Sequence, residues 1–219
     1  MYNNWVLFER EGGWMTVNEQ ILEEITACEK LLIGIGEEWK AEEMPDIGSL
    51  YEKMAGLIKN KDFFIVTTVT DGEILKSSLE QSRLVAPCGN ETWRQCSKSC
   101  SKDIWEPGEI PQEVCPHCGA PLTGNTIEAE EYIEEGYLPQ WKAYTTWLAG
   151  TLNKKLLVLE LGVGFKTPTV IRWPFEKTVS LNNKAHMYRI HGKFAQLPET
   201  VKGKADAVLE SSTEFFRKL

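Results

Sequence analysis

Four of the six cysteines fall into two pairs, Cys96-x3-Cys100 and Cys115-x2-Cys118, separated by fourteen residues. No other feature constrains the fold as tightly, because two thiol pairs at this spacing form two knuckles that can converge tetrahedrally on one Zn²⁺. In "CPHCGAP" Gly119 permits the tight turn that lets backbone N–H groups face the sulfurs. Four protein ligands leave no open coordination position, so the zinc is expected to be structural rather than catalytic. His117, between two of the ligands, is expected to point outward. The surrounding segment, 88–127, is rich in Cys, Pro, Gly and Glu and predicts a small inserted zinc-ribbon module.

Around that module, residues 1–87 and 128–219 carry an α/β pattern. Continuous apolar runs at 31–36, 63–69, 83–87, 156–161 and 186–190 predict buried parallel strands. Thr16 with Glu19 is a capping box, and Ile21, Leu22, Ile25 and Cys28 then recur at helical spacing, which makes Cys28 a core residue. Further helices are expected over 49–60, where Leu50, Met54, Leu57 and Ile58 share a face, over 138–151 with Trp141, Tyr144 and Leu148, and over the tail from Ala205, with Val208, Leu209 and Phe216. Alternation of strands and helices predicts a Rossmann-like parallel sheet with helices on both faces. Trp5, Phe8 and Trp14 are expected to pack, without an assigned element.

A net charge of −8 and no basic stripe exclude a nucleic acid partner. No apolar run reaches membrane-spanning length, and residues 1–11 lack the charged-then-apolar pattern of a secretion signal. With the paired cysteines read as ligands rather than disulfides, the expected location is the cytoplasm.

Taken in order, "LLIGIG", "TTVTDG", "CGN" before the first knuckle, the zinc ribbon and "LELGVGFKTP" resemble the sirtuins, NAD-dependent protein deacylases and ADP-ribosyltransferases. The likeness is greater to the bacterial sirtuins associated with macrodomain operons. It runs from about residue 17 onward and implies NAD as cofactor, with Gly34, Gly36, Asp71, Gly162 and Gly164 on the cofactor and Cys88 at the position of the catalytic base.

Residue by residue, the chain departs from the sirtuin pattern. The Gly-Ala-Gly loop is represented by Gly34-Ile35-Gly36, followed at once by Glu37, Glu38 and Trp39 in place of a long cofactor-binding segment. A pyrophosphate is favoured at such a turn by free N–H groups. Two carboxylates reverse the local field, and like charges ~4 Å apart cost about 1 kcal/mol even in water. Thr-Gln-Asn-x-Asp becomes Thr67-Thr68-Val69-Thr70-Asp71, so an apolar side chain replaces the asparagine. His-Gly becomes Cys88-Gly89, and Cys88 is a reactive thiol, a loose fifth metal ligand or a small buried residue. Arg172 is a candidate anion contact or a structural arginine. The expected function is a sirtuin-like pseudoenzyme, a binding or regulatory protein with a structural zinc and a degenerate NAD cleft; the alternative is an active NAD-dependent ADP-ribosyltransferase or deacylase. Its expected partners are a nucleotide or ADP-ribose-like small molecule and a protein.

Overall fold

The computed structural model describes residues 7–10, 13–110 and 113–219. A hairpin of β1 (Leu7–Arg10) and β2 (Gly13–Thr16) leads into α1 (Val17–Ala27). Trp5 lies outside the described residues, while Phe8 and Trp14 fall on the two hairpin strands. Thr16 caps α1 as expected: its Oγ1 accepts from the Glu19 N–H at 3.3 Å, and the Glu19 carboxylate accepts the Thr16 N–H at 2.9 Å.

The chain then builds β3 (Lys30–Ile35), α2 (Ile47–Ile58), β4 (Phe63–Thr67) and the short β5 (Leu84–Val85). Next come β6 (Gly89–Cys96), β7 (Ile104–Trp105) and β8 (Leu122–Thr126), followed by α3 (Leu138–Ala149) and β9 (Leu156–Leu161). The remainder is α4 (Arg172–Leu181), β10 (Ala185–Ile190), β11 (Ala205–Val208) and α5 (Ser212–Lys218). Six strands pair in the order β11-β10-β9-β3-β4-β5, all parallel, and β7-β6-β8 form a separate antiparallel sheet.

Both faces of the parallel sheet are covered, which is why its strands read as unbroken apolar runs. Because successive side chains alternate, Leu31, Ile33 and Ile35 enter the core beneath α1, α2 and α5, while Leu32 enters the second core beneath α3 and α4. Gly34, also on that second face, lies where a Cβ would stand 2.5 Å from Ile171 and 2.8 Å from Phe175. Its lack of a side chain lets α4 seat on the sheet.

The tail departs from the expected single helix. Residues 205–208 form the edge strand β11, with Met187 opposite Ala205 and Ile190 opposite Val208, and the helix begins only at Ser212. Main-chain pairing with β10 overrides the weak helical preference of Ala-Asp-Ala-Val. Asp206 reinforces the strand by reaching His186 on β10, at 3.1 Å. Val208 and Phe216 are buried as expected, whereas Leu209, assigned to the same face, is 61% exposed. Among the described residues no helix is long and apolar enough to cross a membrane.

Candidate functional site

Ligands of open parallel sheets sit beyond the C-terminal strand edge, and here the ends of β3, β9 and β10 meet at that edge. Leaving β3, the chain passes Gly36 and folds at once into a 3-10 turn over Glu37–Trp39. A Cβ on Gly36 would stand 2.4 Å from both the Gly162 carbonyl oxygen and Val163 Cα, so only glycine admits this approach of two loops. Trp39 is fully buried and fixes the turn from below. Its Nε1–H donates to Ser212 Oγ at 3.1 Å, and its ring packs on Tyr51 and Phe216.

That anchor aims both carboxylates into the edge. Glu37 Oε2 accepts the Gly164 N–H at 2.7 Å. Glu38 Oε1 accepts the Gly192 N–H at 2.9 Å, and its Oε2 accepts both the N–H and the hydroxyl of Ser212 at 2.7 Å. His191 Nδ1 lies 3.0 Å from Glu38 Oε1. Burial alone would raise the Glu38 carboxyl, but the contacts from His191, Ser212 and Gly192 outweigh it and hold the pKa down at about 2. Main-chain donors at the sheet edge are thus engaged by the chain's own anions. Between Glu37, Cys88 and Thr167 the space left is about 20 Å³.

Of the residues the sequence singled out, Gly36, Gly162 and Gly164 gather around these two carboxylates; Gly162, at φ 64°, lies against the Glu38 side chain. Gly34 lies under α4, away from them. Asp71 ties its own loop to the segment after the Glu37–Trp39 turn, one oxygen accepting the Ala41 N–H at 2.8 Å and the other the Glu73 N–H at 3.0 Å. Cys88 is 2% exposed, with Sγ 4.0 Å from Thr167 Oγ1, and burial pushes its thiol up. It lies outside the four-cysteine cluster. Arg172 proves structural: it donates to the carbonyls of Val163, Phe194 and Gln196 and stacks 4.2 Å from the Phe165 ring. Sequence reasoning missed Gly192 and Ser212, the partners of Glu38, because the contact joins positions 154 and 174 residues apart.

The four cysteines of the two knuckles converge, their sulfurs all within 4.8 Å of one another. The Cys96–Cys118 and Cys100–Cys115 sulfurs are 3.6 and 3.5 Å apart. The edge of a tetrahedron with Zn–S bonds of ~2.3 Å is ~3.8 Å, so the donor set fits such an ion. N–H groups of Cys100 and Lys98 directed at Cys96 bring its thiol down to about 6, while the neighbouring sulfurs of Cys118 and Cys115 push the Cys100 thiol up, so the four thiols titrate as one set. His117 points away, to Asp103 at 2.6 Å, as expected.

No family model matches the chain. A protein ADP-ribosyltransferase of Staphylococcus aureus is 24% identical over 173 residues, covering 71% of this chain and 55% of that protein. A probable bifunctional ADP-ribose hydrolase/ADP-ribosyltransferase of Fusarium oxysporum f. sp. cubense is 30% identical over 148 residues, covering 54% of this chain and 24% of that protein. The chain therefore spans about half the length of the first relative and a quarter of the second. Among solved structures, a Sir2 protein bound to a propionylated peptide superposes with a TM-score of 0.62 at 9% identity, over 93% of this chain and 97% of that one. A Sir2 homologue mutant in complex with ADP-ribose gives 0.56 at 13% identity, over 91% and 94%. The fold is that of the Sir2 proteins.

Two outcomes follow. Purified protein is expected to hold about one zinc per chain by elemental analysis, and Cys115→Ser to lose it and unfold at lower temperature, ~2–4 °C for each kcal/mol lost. The depressed Glu38 carboxyl contributes stability that is fully present above its unfolded value of 4.5 and is lost as pH falls toward about 2. Acid unfolding of Glu38→Gln, followed by circular dichroism, should show a smaller loss across that window than the unaltered protein.

Proposed function

We propose that this is a sirtuin-like protein that binds rather than turns over, its dinucleotide cleft closed from within and a structural zinc held by Cys96, Cys100, Cys115 and Cys118. The observation that carries the reading is the engagement of the Gly164, Gly192 and Ser212 N–H groups by Glu37 and Glu38. A pyrophosphate needs such donors free. To reach them, NAD would have to displace both carboxylates, breaking charge-assisted hydrogen bonds worth ~1.5–3 kcal/mol each, and then lie beside two negative charges. The residues present do not fit the cofactor's anionic centre. Val69 offers no hydrogen bond where sirtuins carry an asparagine, and the buried Cys88 thiol, pushed up rather than down, is not suited to act as a base. Any nucleotide or ADP-ribose-like ligand binds weakly under this reading, and a protein partner is the remaining route to a regulatory role.

A second reading, an active ADP-ribosyltransferase, is favoured by the names of the Staphylococcus and Fusarium relatives. It requires the turn over Glu37–Trp39 to open in the presence of cofactor.

Calorimetry separates the two. NAD and ADP-ribose are expected to bind with Kd poorer than about 100 μM, and Glu37→Ser with Glu38→Ala to bind them more tightly. Nicotinamide release from NAD with an acyl-peptide is expected to be absent in the unaltered protein, in Cys88→His, and in Cys88→His with Val69→Asn, because a base restores only ~10²–10⁴ of rate and orientation is still missing. Tight NAD binding, or release that disappears in Cys88→Ala, would favour the transferase.

A further inference from the structure

Cys88 faces the closed cleft, but its neighbours Val85, Ala86, Gly89 and Asn90 line a different space. This is a cavity of about 500 Å³ between the β5 edge of the parallel sheet, the start of α3 and the cysteine-bearing sheet. Its volume lies within the ~300–1,000 Å³ of small-molecule sites.

The walls are aromatic and aliphatic. Tyr132 and Tyr137 stack with ring centres 6.2 Å apart and planes inclined by 17°, and Trp93 adds a third ring. Both phenols are tied down, Tyr132 donating to the Pro87 carbonyl at 3.1 Å and Tyr137 to Glu134 at 3.0 Å. The rings are thereby held as walls rather than offered as polar contacts. The charged lining residues, Lys76 and Glu106, are exposed, and Lys76 is paired with Glu73 at 2.6 Å. An ion taken into this space would meet only these exposed, solvent-screened charges, which compensate little of its desolvation cost.

Among the polar groups of the wall, Asn90 has its orientation fixed. Asn90 is only 4% exposed, and its Oδ1 accepts both the N–H and the hydroxyl of Thr92 at 2.8 Å. That assignment commits the oxygen and leaves Nδ2 as a donor with no acceptor among the described residues. Gly72, at φ 77°, lies against this amide; a Cβ there would stand 3.0 Å from Oδ1 and 3.1 Å from Nδ2. Nδ2 is not sealed from solvent, so a ligand acceptor would replace water there, for a net gain of ~0.5–1.5 kcal/mol. The buried lining atoms that lack a partner among the described residues are the acceptors Asn125 Oδ1 and Gln140 Oε1, which an N–H on the same ligand would satisfy.

We infer that this cavity binds a small, flat, uncharged aromatic molecule whose ring lies against Tyr132, Tyr137 and Trp93 and whose carbonyl oxygen accepts from Asn90 Nδ2. The site is separate from the cleft and holds whether or not the cleft opens. The test uses ¹⁵N-labelled full chain titrated with 1-naphthamide and with 1-naphthoate, the same ring bearing a charge. Naphthamide should shift the Asn90 side-chain NH₂ and Trp93 indole N–H resonances saturably, and naphthoate should bind at least about ten-fold more weakly. Asn90→Asp keeps the acceptor for Thr92 and removes the donor, so it should weaken naphthamide by about ten-fold. The inference is overturned by absence of shifts at both resonances, by shifts centred on Gly162–Gly164, by equal affinity for the two probes, or by undiminished binding to a folded Asn90→Asp variant.

Discussion

The Glu38 carboxylate holds together three segments that the sequence keeps far apart: the turn after β3, the loop after β10 and the start of α5. It does so from a partly buried position, where a carboxylate is stable only if its oxygens are well supplied with donors. The donors come mainly from the backbone, and backbone N–H groups at loop starts and helix ends need partners of their own. Each side therefore resolves the other's deficit. Trp39, wedged between Tyr51 and Phe216 with its indole N–H on Ser212, sets the turn at the height from which Glu38 can reach.

The same interaction decides what the sheet edge can do. In a parallel α/β sheet, unpaired N–H groups beyond the strand ends make an anion site. In this chain the anions on those N–H groups are supplied intramolecularly, by Glu37 and Glu38. Beneath the edge, a second set of charges is wholly structural. Arg189 grips Glu160 through two hydrogen bonds at 2.6 and 2.9 Å and also reaches Glu176, while Arg172 stands 3.6 Å from Glu160 and braces the loops around Val163 and Gln196. These arginines are committed to protein groups and are not offered to a phosphate.

Features governed by local spacing were legible in the sequence. The cysteine knuckles, the Thr16–Glu19 cap, the core strands and the glycine turn at Gly36 all follow from neighbours within a few residues. Contacts between distant segments were not. Nothing near Gly34 announces that its role is to admit Ile171 and Phe175. The tail from Ala205 has helical spacing, yet pairing with β10 makes its first part a strand. Glu37 and Glu38 read as repelling a pyrophosphate; what the sequence did not show is that they also accept from the main-chain N–H groups of Gly164, Gly192 and Ser212.

A crystal structure grown in millimolar ADP-ribose tests this account most directly. The account predicts Glu38 still bonded to Gly192 and Ser212, Glu37 still on Gly164, and no diphosphate at the sheet edge. A diphosphate seated on those N–H groups, with both carboxylates turned outward, would contradict it.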